Sequence, residues 1–280
     1  MFQALKRASE TGSWCQVVTR HSLIFILAFL LVFGAASAQE AGDDVETATD
    51  AVEQPSEGEN ASNPLAAVSN TDLRWQYLDL KESGARLNDY FVEGALMLNP
   101  KLKFKYELHY WDTNQSGSSH GGFESALVKL IDFPRQGRLE SGTGYRLAAG
   151  IDYIHDLGDT EKGIGFGADQ LGPFLGVALA LPSGITVIPL LQHFTSVSGV
   201  DVNTTAARLI ALNPFGDAWW LKLDAKLPYD WENESIPADA QFQLGKTVKP
   251  GLGLYVDGMF GLGSERIYDW GVGVGLRFNY

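Results

Sequence analysis

From residue 73 to the end of the chain, apolar residues recur at every second position. In Lys101–Trp111, KLKFKYELHYW, Leu102, Phe104, Tyr106, Leu108 and Tyr110 fall on one face, and Lys101, Lys103, Lys105, Glu107 and His109 fall on the other. A period of two is the signature of a β-strand. Residues 218–227 repeat it, with Trp219, Leu221, Leu223 and Ala225 set against Trp220, Lys222, Asp224 and Lys226. The last run sets Trp270, Val272, Val274, Leu276, Phe278 and Tyr280 against Gly271, Gly273, Gly275, Arg277 and Asn279. In Tyr145–Tyr153, Leu147, Ala149 and Ile151 oppose Arg146, Ala148, Gly150 and Asp152. No helical stripe follows residue 72.

The runs predict about twelve strands, beginning near residues 73, 89, 101, 122, 143, 169, 185, 203, 218, 239, 251 and 269. Two classes of connection interleave between them. One is short and built from Pro and Gly, as at Asn99-Pro100, Pro182-Ser183-Gly184, Asn213-Pro214-Phe215-Gly216 and Lys249-Pro250-Gly251. The other is mostly longer and polar, as at 113–121, 156–168, 198–203, 228–238 and 263–268. The connection at 134–142 is longer than its class expects. An even number of long antiparallel strands with short and long connections in turn describes a closed antiparallel transmembrane β-barrel. Closure is required because hydrocarbon leaves no partner for an unpaired backbone group, so the sheet can have no edge. The barrel is expected over residues 72–280, with apolar residues facing outer-membrane lipid and polar residues facing the lumen. Aromatic residues near strand ends (Tyr90, Tyr110, Tyr145, Tyr153, Trp219, Trp270, Phe278 and Tyr280) suit an interfacial girdle.

Two segments precede the strands. Leu23–Phe33 is an unbroken apolar run, preceded by Lys6, Arg7 and Arg20 and followed by Ala36-Ser37-Ala38. This describes residues 1–38 as an export signal cleaved after Ala38. The run is short for a helical span, which needs about 20 residues, and an uncleaved anchor is the alternative. Cys15, the only cysteine, leaves with the signal. Residues 39–71 then carry Glu40, Asp43, Asp44, Glu46, Asp50, Glu53, Glu57 and Glu59 with no Lys or Arg. Such a composition predicts a disordered acidic periplasmic linker, because it buries too little surface to offset chain entropy. A calcium-collecting or partner-binding tail is the sharper alternative.

Composition changes this picture in two places. The net charge of −13 argues against a nucleic-acid partner, which needs a basic footprint. The mean hydropathy of −0.06 is that of a soluble protein, yet it is also the average of a lipid face and a polar lumen taken alternately.

The expected lumen carries mixed charge. Lys103, Lys105, Arg146, Arg208, Lys222 and Arg277 stand with Glu107, Asp152, Asp224 and Asp257 as candidate lumen or selectivity residues. They read either as ion pairs that fill and stiffen the interior or as charge rings that select solutes. Twelve strands lie between side-chain-filled barrels and open porins, so a constricted channel suits the size. Gly271, Gly273 and Gly275 share the inward face. Relief of strain where the barrel bends is the simplest reading; room for a solute, or for a plug formed by the N-terminal segment, is the alternative. Pro189 predicts an irregular section in its strand. His193 nearby, and Asp230, Trp231 and Glu232, are candidate loop or entrance residues; paired carboxylates there would suit a divalent cation.

An enzyme needs a nucleophile, a base and an orienting group. Beyond the signal the histidines are His109, His120, His155 and His193, and none lies in a hydrolase motif, including the Ser119-His120 step. No catalytic residue, cofactor site or metal site is assigned.

The final aromatic Tyr280, with Phe278 two residues before it, resembles the C-terminal signal of bacterial outer-membrane barrels. That resemblance implies recognition by the outer-membrane assembly machinery. Residues 165–280 also resemble the transporter-like barrels of the "MetA-pathway of phenol degradation" family. The residues that carry this are Leu171-Gly172-Pro173, Pro189-Leu190-Leu191-Gln192-His193-Phe194, Ser196-Val197-Ser198-Gly199, Trp219-Trp220-Leu221, Asp230-Trp231-Glu232, Leu244-Gly245-Lys246 and Asp269-Trp270-Gly271-Val272. The resemblance implies passage of small solutes, including aromatic ones, and brings no binding residues with it. A diffusion channel is therefore the leading expectation. A closed structural or interaction barrel is the alternative, and a lipid-modifying enzyme is the third.

Overall fold

The computed structural model describes residues 60–82 and 84–280. The signal segment 1–38 and residues 39–59 of the acidic segment lie outside the described residues. Thirteen strand segments follow: β1 (Asn70–Leu80), β2 (Arg86–Asn99), β3 (Leu102–Thr113), β4 (His120–Asp132), β5 (Gln136–Arg138), β6 (Gly144–Asp156), β7 (Ala168–Ala180), β8 (Thr186–Gly199), β9 (Asn203–Phe215), β10 (Trp219–Asp230), β11 (Asp239–Lys249), β12 (Leu252–Gly261) and β13 (Tyr268–Asn279).

Each strand pairs antiparallel with the next except that β4 pairs with β6 and not with β5, and β1 pairs with β13, from Asn70↔Asn279 to Leu80↔Tyr268. The sheet is therefore closed. Both β4 and the short β5 pair with β6, β4 through Asp132↔Ala149 and β5 from Gln136↔Arg146. β5 thus continues β4 past the Phe133-Pro134-Arg135 interruption, which accounts for the overlong connection at 134–142. The barrel is of twelve strands, as the alternation predicts, and each predicted start lies within three residues of the observed one. β1 begins at Asn70, so the expected boundary at 71/72 falls inside the first strand.

The alternation sorts side chains as predicted. Leu73, Leu108, Val128, Ile151, Leu191, Leu209, Leu223, Val256 and Val274 are exposed on the outer face, where a membrane barrel needs an apolar band. Near the end with the mostly longer loops, Tyr110 and Phe123 meet edge to face at 5.5 Å, and Tyr77 lies 5.5 Å from Trp270. Phe215 and Trp219 stack at 6.4 Å near the end with the short turns. Tight turns there rest on Gly184 and Gly251, whose φ of 87° and 76° lie where other residues are strained.

The β7–β8 ladder is irregular, as Pro189 predicts. Pairing lapses between Leu171↔Thr195 and Phe174↔Gln192, and again between Gly176↔Leu190 and Leu179↔Val187. Pro173 and Pro189 sit in these lapses and bring no N–H to the ladder.

Residues 60–69 depart from the expected linker. They enter the barrel at the short-turn end, and Leu65, Ala66 and Ala67 are buried there. This stretch, NASNPLAAVS, follows the last acidic residue, Glu59. It is small and apolar enough to pack, and the closed lumen offers it a surface.

Candidate functional site

The site is the lumen, and each strand supplies it with every second side chain. Lys103, Lys105, Glu107 and His109 enter from β3, Arg146 and Asp152 from β6, Arg208 from β9, Lys222 and Asp224 from β10, Asp257 from β12 and Arg277 from β13. These are the ten candidate lumen residues with His109 beside them.

The charges are paired, as a filled interior requires. Arg277 grips Asp72 through Nε at 3.0 Å and Nη2 at 2.6 Å. Arg74 bridges Glu93 at 2.8 Å and Asp257 at 2.9 Å. Arg208 meets Asp224 through Nε at 2.8 Å and Nη2 at 2.5 Å, and Lys222 adds a contact to Asp224 at 3.4 Å. Lys129 reaches Asp152 at 2.9 Å, which also accepts from Gln192 at 2.8 Å. Lys105 lies 3.7 Å from Glu107. Charges taken out of water need such partners, since an isolated one costs far more than a hydrogen bond returns. Asp72, Arg74, Lys129, Gln192 and Gln243 were absent from the predicted set. Asp72 and Arg74 were in reach, because Asp72-Leu73-Arg74-Trp75 already alternates within the expected barrel.

The inward glycines make room for neighbouring rings and chains. A Cβ on Gly275 would lie 2.1 Å from the Tyr255 ring, and one on Gly271 would lie 2.5 Å from Leu78. Tyr255 uses that space to lie over β13 and donate to Asp72 on β1 at 2.7 Å. At both positions the missing side chain leaves space that neighbouring wall residues occupy.

Residues 60–69 fill the short-turn half of the lumen. The segment folds on itself first, with Ser62 N donating to Asn60 Oδ1 at 2.8 Å, Leu65 N to Asn63 Oδ1 at 2.8 Å, and Ala66 N to the Asn63 carbonyl at 3.0 Å. Wall side chains then hold it. Lys103 Nζ donates to the Ala66 carbonyl at 2.8 Å and the Pro64 carbonyl at 3.3 Å. Arg146 Nη1 donates to the Leu65 carbonyl at 3.2 Å. Arg277 Nη1 donates to Ser62 Oγ at 2.6 Å, and Ser62 Oγ donates to Gln243 Oε1 at 2.8 Å. Leu65 packs with Ile131, Phe133, Phe174, Ile188 and Ile210. The segment is thus a plug, and three of the predicted lumen residues, Lys103, Arg146 and Arg277, bind it. Above it lies a cavity of about 260 Å³, floored by Ala61, Ser62, Pro64 and Leu65.

The loop candidates have other occupations. Gln192 points inward, so His193 on the same strand points outward, where its Nδ1 lies 3.0 Å from Thr205 Oγ1. His193 is therefore not a lumen contact. The Trp231 indole donates to the same Thr205 Oγ1 at 3.0 Å. Asp230 spends its carboxylate on closing a turn, accepting from Glu232 N at 2.9 Å and Asn233 Nδ2 at 2.7 Å. Glu232 is exposed beside it. These residues lie in a long-end loop as expected, but they do not pair two open carboxylates for a cation. Phe278 and Tyr280 are exposed at the short-turn end.

The four histidines are dispersed. His109 lies 2.9 Å from Asp89, His155 lies 2.9 Å from Asp169, and His120 meets Ser118, not Ser119, at 2.7 Å in an exposed loop.

No family model matches the sequence, and no curated protein matches it. Solved structures do resemble the fold. An outer membrane channel from Pseudomonas putida F1 superposes with a TM-score of 0.59 at 9% identity, over 76% of this chain and 96% of that one. The NanC porin gives a TM-score of 0.54 at 9% identity, over 75% of this chain and 98% of that one. At such identity the likeness is one of fold: the chain shares the closed antiparallel β-barrel architecture of these outer-membrane proteins.

Proposed function

We propose that the protein is an outer-membrane channel for small solutes, closed in the described state by its own residues 60–69. The single observation that carries this reading is the composition of the barrier. The lumen is obstructed by a short separate segment, held by side-chain bonds to Lys103, Arg146, Arg277 and Gln243, with a polar-lined cavity directly above it. A barrel built only to be solid could be filled from its own walls, as side-chain-filled barrels are. The short-turn end is assigned to the periplasm and the long-loop end to the outside, following the rule for such barrels. In this reading residues 1–38 are the cleaved export signal and the exposed Tyr280 belongs to the signal read by the assembly machinery. The resemblance of residues 165–280 to the phenol-degradation transporter-like family points to small and aromatic solutes.

A second reading is a closed structural or interaction barrel. The extent of the lumenal ion-pair network favours it. Planar-bilayer recording and swelling of protein-loaded liposomes in small sugars, amino acids and aromatic acids separate the two. The channel reading expects current steps and solute-dependent swelling; silence in both assays leaves the structural barrel.

A further inference from the structure

The lumen has two chemically different sides. β4, β6, β7, β8 and β9 bring Ile131, Ala148, Phe174, Ala178, Ile188 and Ile210 into one buried apolar cluster. The ionic groups come mainly from β1–β3 and β10–β13. The 260 Å³ cavity lies where the two sides meet: Ile131, Phe174 and Leu190 line it on one side, and Arg74, Lys105 and Lys222 on the other.

Although the network is paired, what reaches the cavity is mostly cationic. Eight basic side chains line it, counting His109, against two carboxylates, Glu93 and Glu107. Asp72, Asp152, Asp224 and Asp257 are buried behind and do not line it. Two donors on its wall, Arg74 Nε and Gln241 Nε2, are buried with no hydrogen-bond partner among the described residues. Buried donors without acceptors are costly, and charge-assisted acceptors repay most. Cations also meet rings in the lumen. Lys129 Nζ lies 5.1 Å from the Phe174 ring centre, and Arg74 lies 4.7 Å from that of Phe91. The cavity is just smaller than the sites of drug-sized ligands, which run from about 300 to 1,000 Å³, so it suits a one-ring molecule and not a chain of sugars.

We propose that this cavity is a binding site for a small amphiphilic organic anion: a carboxylate on an aromatic or short aliphatic body. The carboxylate meets Arg74, Lys105 and the free donors, and the body lies against Phe174 and Leu190. The inference deepens the channel reading by naming a solute class, but binding itself does not depend on conduction.

The test is calorimetric titration of the full-length mature protein in detergent with benzoate, with its neutral isostere benzamide, and with acetate, which carries the charge without the ring. Lys105→Gln combined with Lys226→Gln removes two cations whose carboxylate contacts are long, at 3.7 and 3.9 Å, so the rest of the network keeps its partners. Heat-dependent gel mobility reports whether this variant folds, and Lys226→Gln alone serves if it does not. Benzoate is expected to bind about tenfold tighter than benzamide or acetate, and the variant is expected to lose several-fold for benzoate and nothing for benzamide. Equal binding of benzoate and benzamide, equal binding of benzoate and acetate, or an unchanged variant would each overturn the proposal. Benzoate binding in a protein silent in bilayers would leave this site standing and remove the channel reading. Conductance without benzoate preference would do the reverse.

Discussion

Lys103 Nζ on β3 donates to the main-chain carbonyl of Ala66 at 2.8 Å, which ties the barrel wall to the segment that obstructs it. Lys103 is only 2% exposed, so the bond forms away from water. A hydrogen bond from a charged donor contributes about 1.5–3 kcal/mol. Lys103→Met should therefore loosen the plug and leave the closed sheet intact. Single-channel recording should show more frequent or longer openings than wild type, with unchanged heat-dependent gel mobility. Identical gating in both proteins would mean that this bond does not hold the barrier.

Leu65 tests the apolar half of the same seat. It is 1% exposed among Ile131, Phe133, Ile188 and Ile210. Leu→Ala changes at buried sites cost about 2–5 kcal/mol. Here that loss falls on docking of the plug and not on strand pairing. Leu65→Ala should raise the rate of protease cleavage within residues 60–69 while the barrel stays resistant. Equal cleavage rates would show that the side chain does not anchor the segment.

The inside–outside assignment is tested by two adjacent residues on β10. Leu223 is 51% exposed on the outer face, and Lys222 is 8% exposed in the lumen, 3.4 Å from Asp224. Leu223→Arg should impair folding into lipid, since a charge on that face costs about 2–4 kcal/mol near the midplane. Lys222→Gln should fold normally and shift reversal potential toward cations in any conducting form. Equal damage from the two changes, measured as folded fraction in liposomes, would contradict the alternation.

Gly275 and Tyr255 are a steric pair. Any Cβ at 275 would sit 2.1 Å from the Tyr255 ring, and overpacking of this kind costs about 1–3 kcal/mol. Gly275→Ala should lower the denaturant midpoint of the folded barrel, and adding Tyr255→Leu should recover part of the loss. A double variant no better than the sum of its single changes would place the cost elsewhere.

Much of this barrel was legible in the sequence because its determinant is local. Lys103 and Lys105 point inward, and Phe104 and Tyr106 outward, for a reason visible in a stretch of five residues. The Pro189 irregularity was also local. The orientation of His193 was not read, because Pro189 predicts an irregular section, yet the side-chain alternation runs on through it, with Ile188 and Gln192 buried inside and Leu191 exposed outside. The plug stood only as an alternative reading of the inward glycines, with no residues assigned to it. Residues 60–69 have no period, and their structure depends on Lys103, Arg146, Gln243 and Arg277, which converge only when strands far apart in sequence close into a ring. The pairing partners inside the lumen were hidden for the same reason: Arg74 meets Asp257 across 183 positions of sequence.

The central claim is that residues 60–69 are a removable barrier in a conducting barrel. The most direct measurement compares planar-bilayer conductance of the full-length protein with that of a variant lacking residues 60–68, both confirmed as folded by heat-dependent gel mobility. Small or intermittent currents from the intact protein, and a sustained, larger conductance from the variant, are predicted. Two silent proteins, or two with the same conductance, would contradict the account.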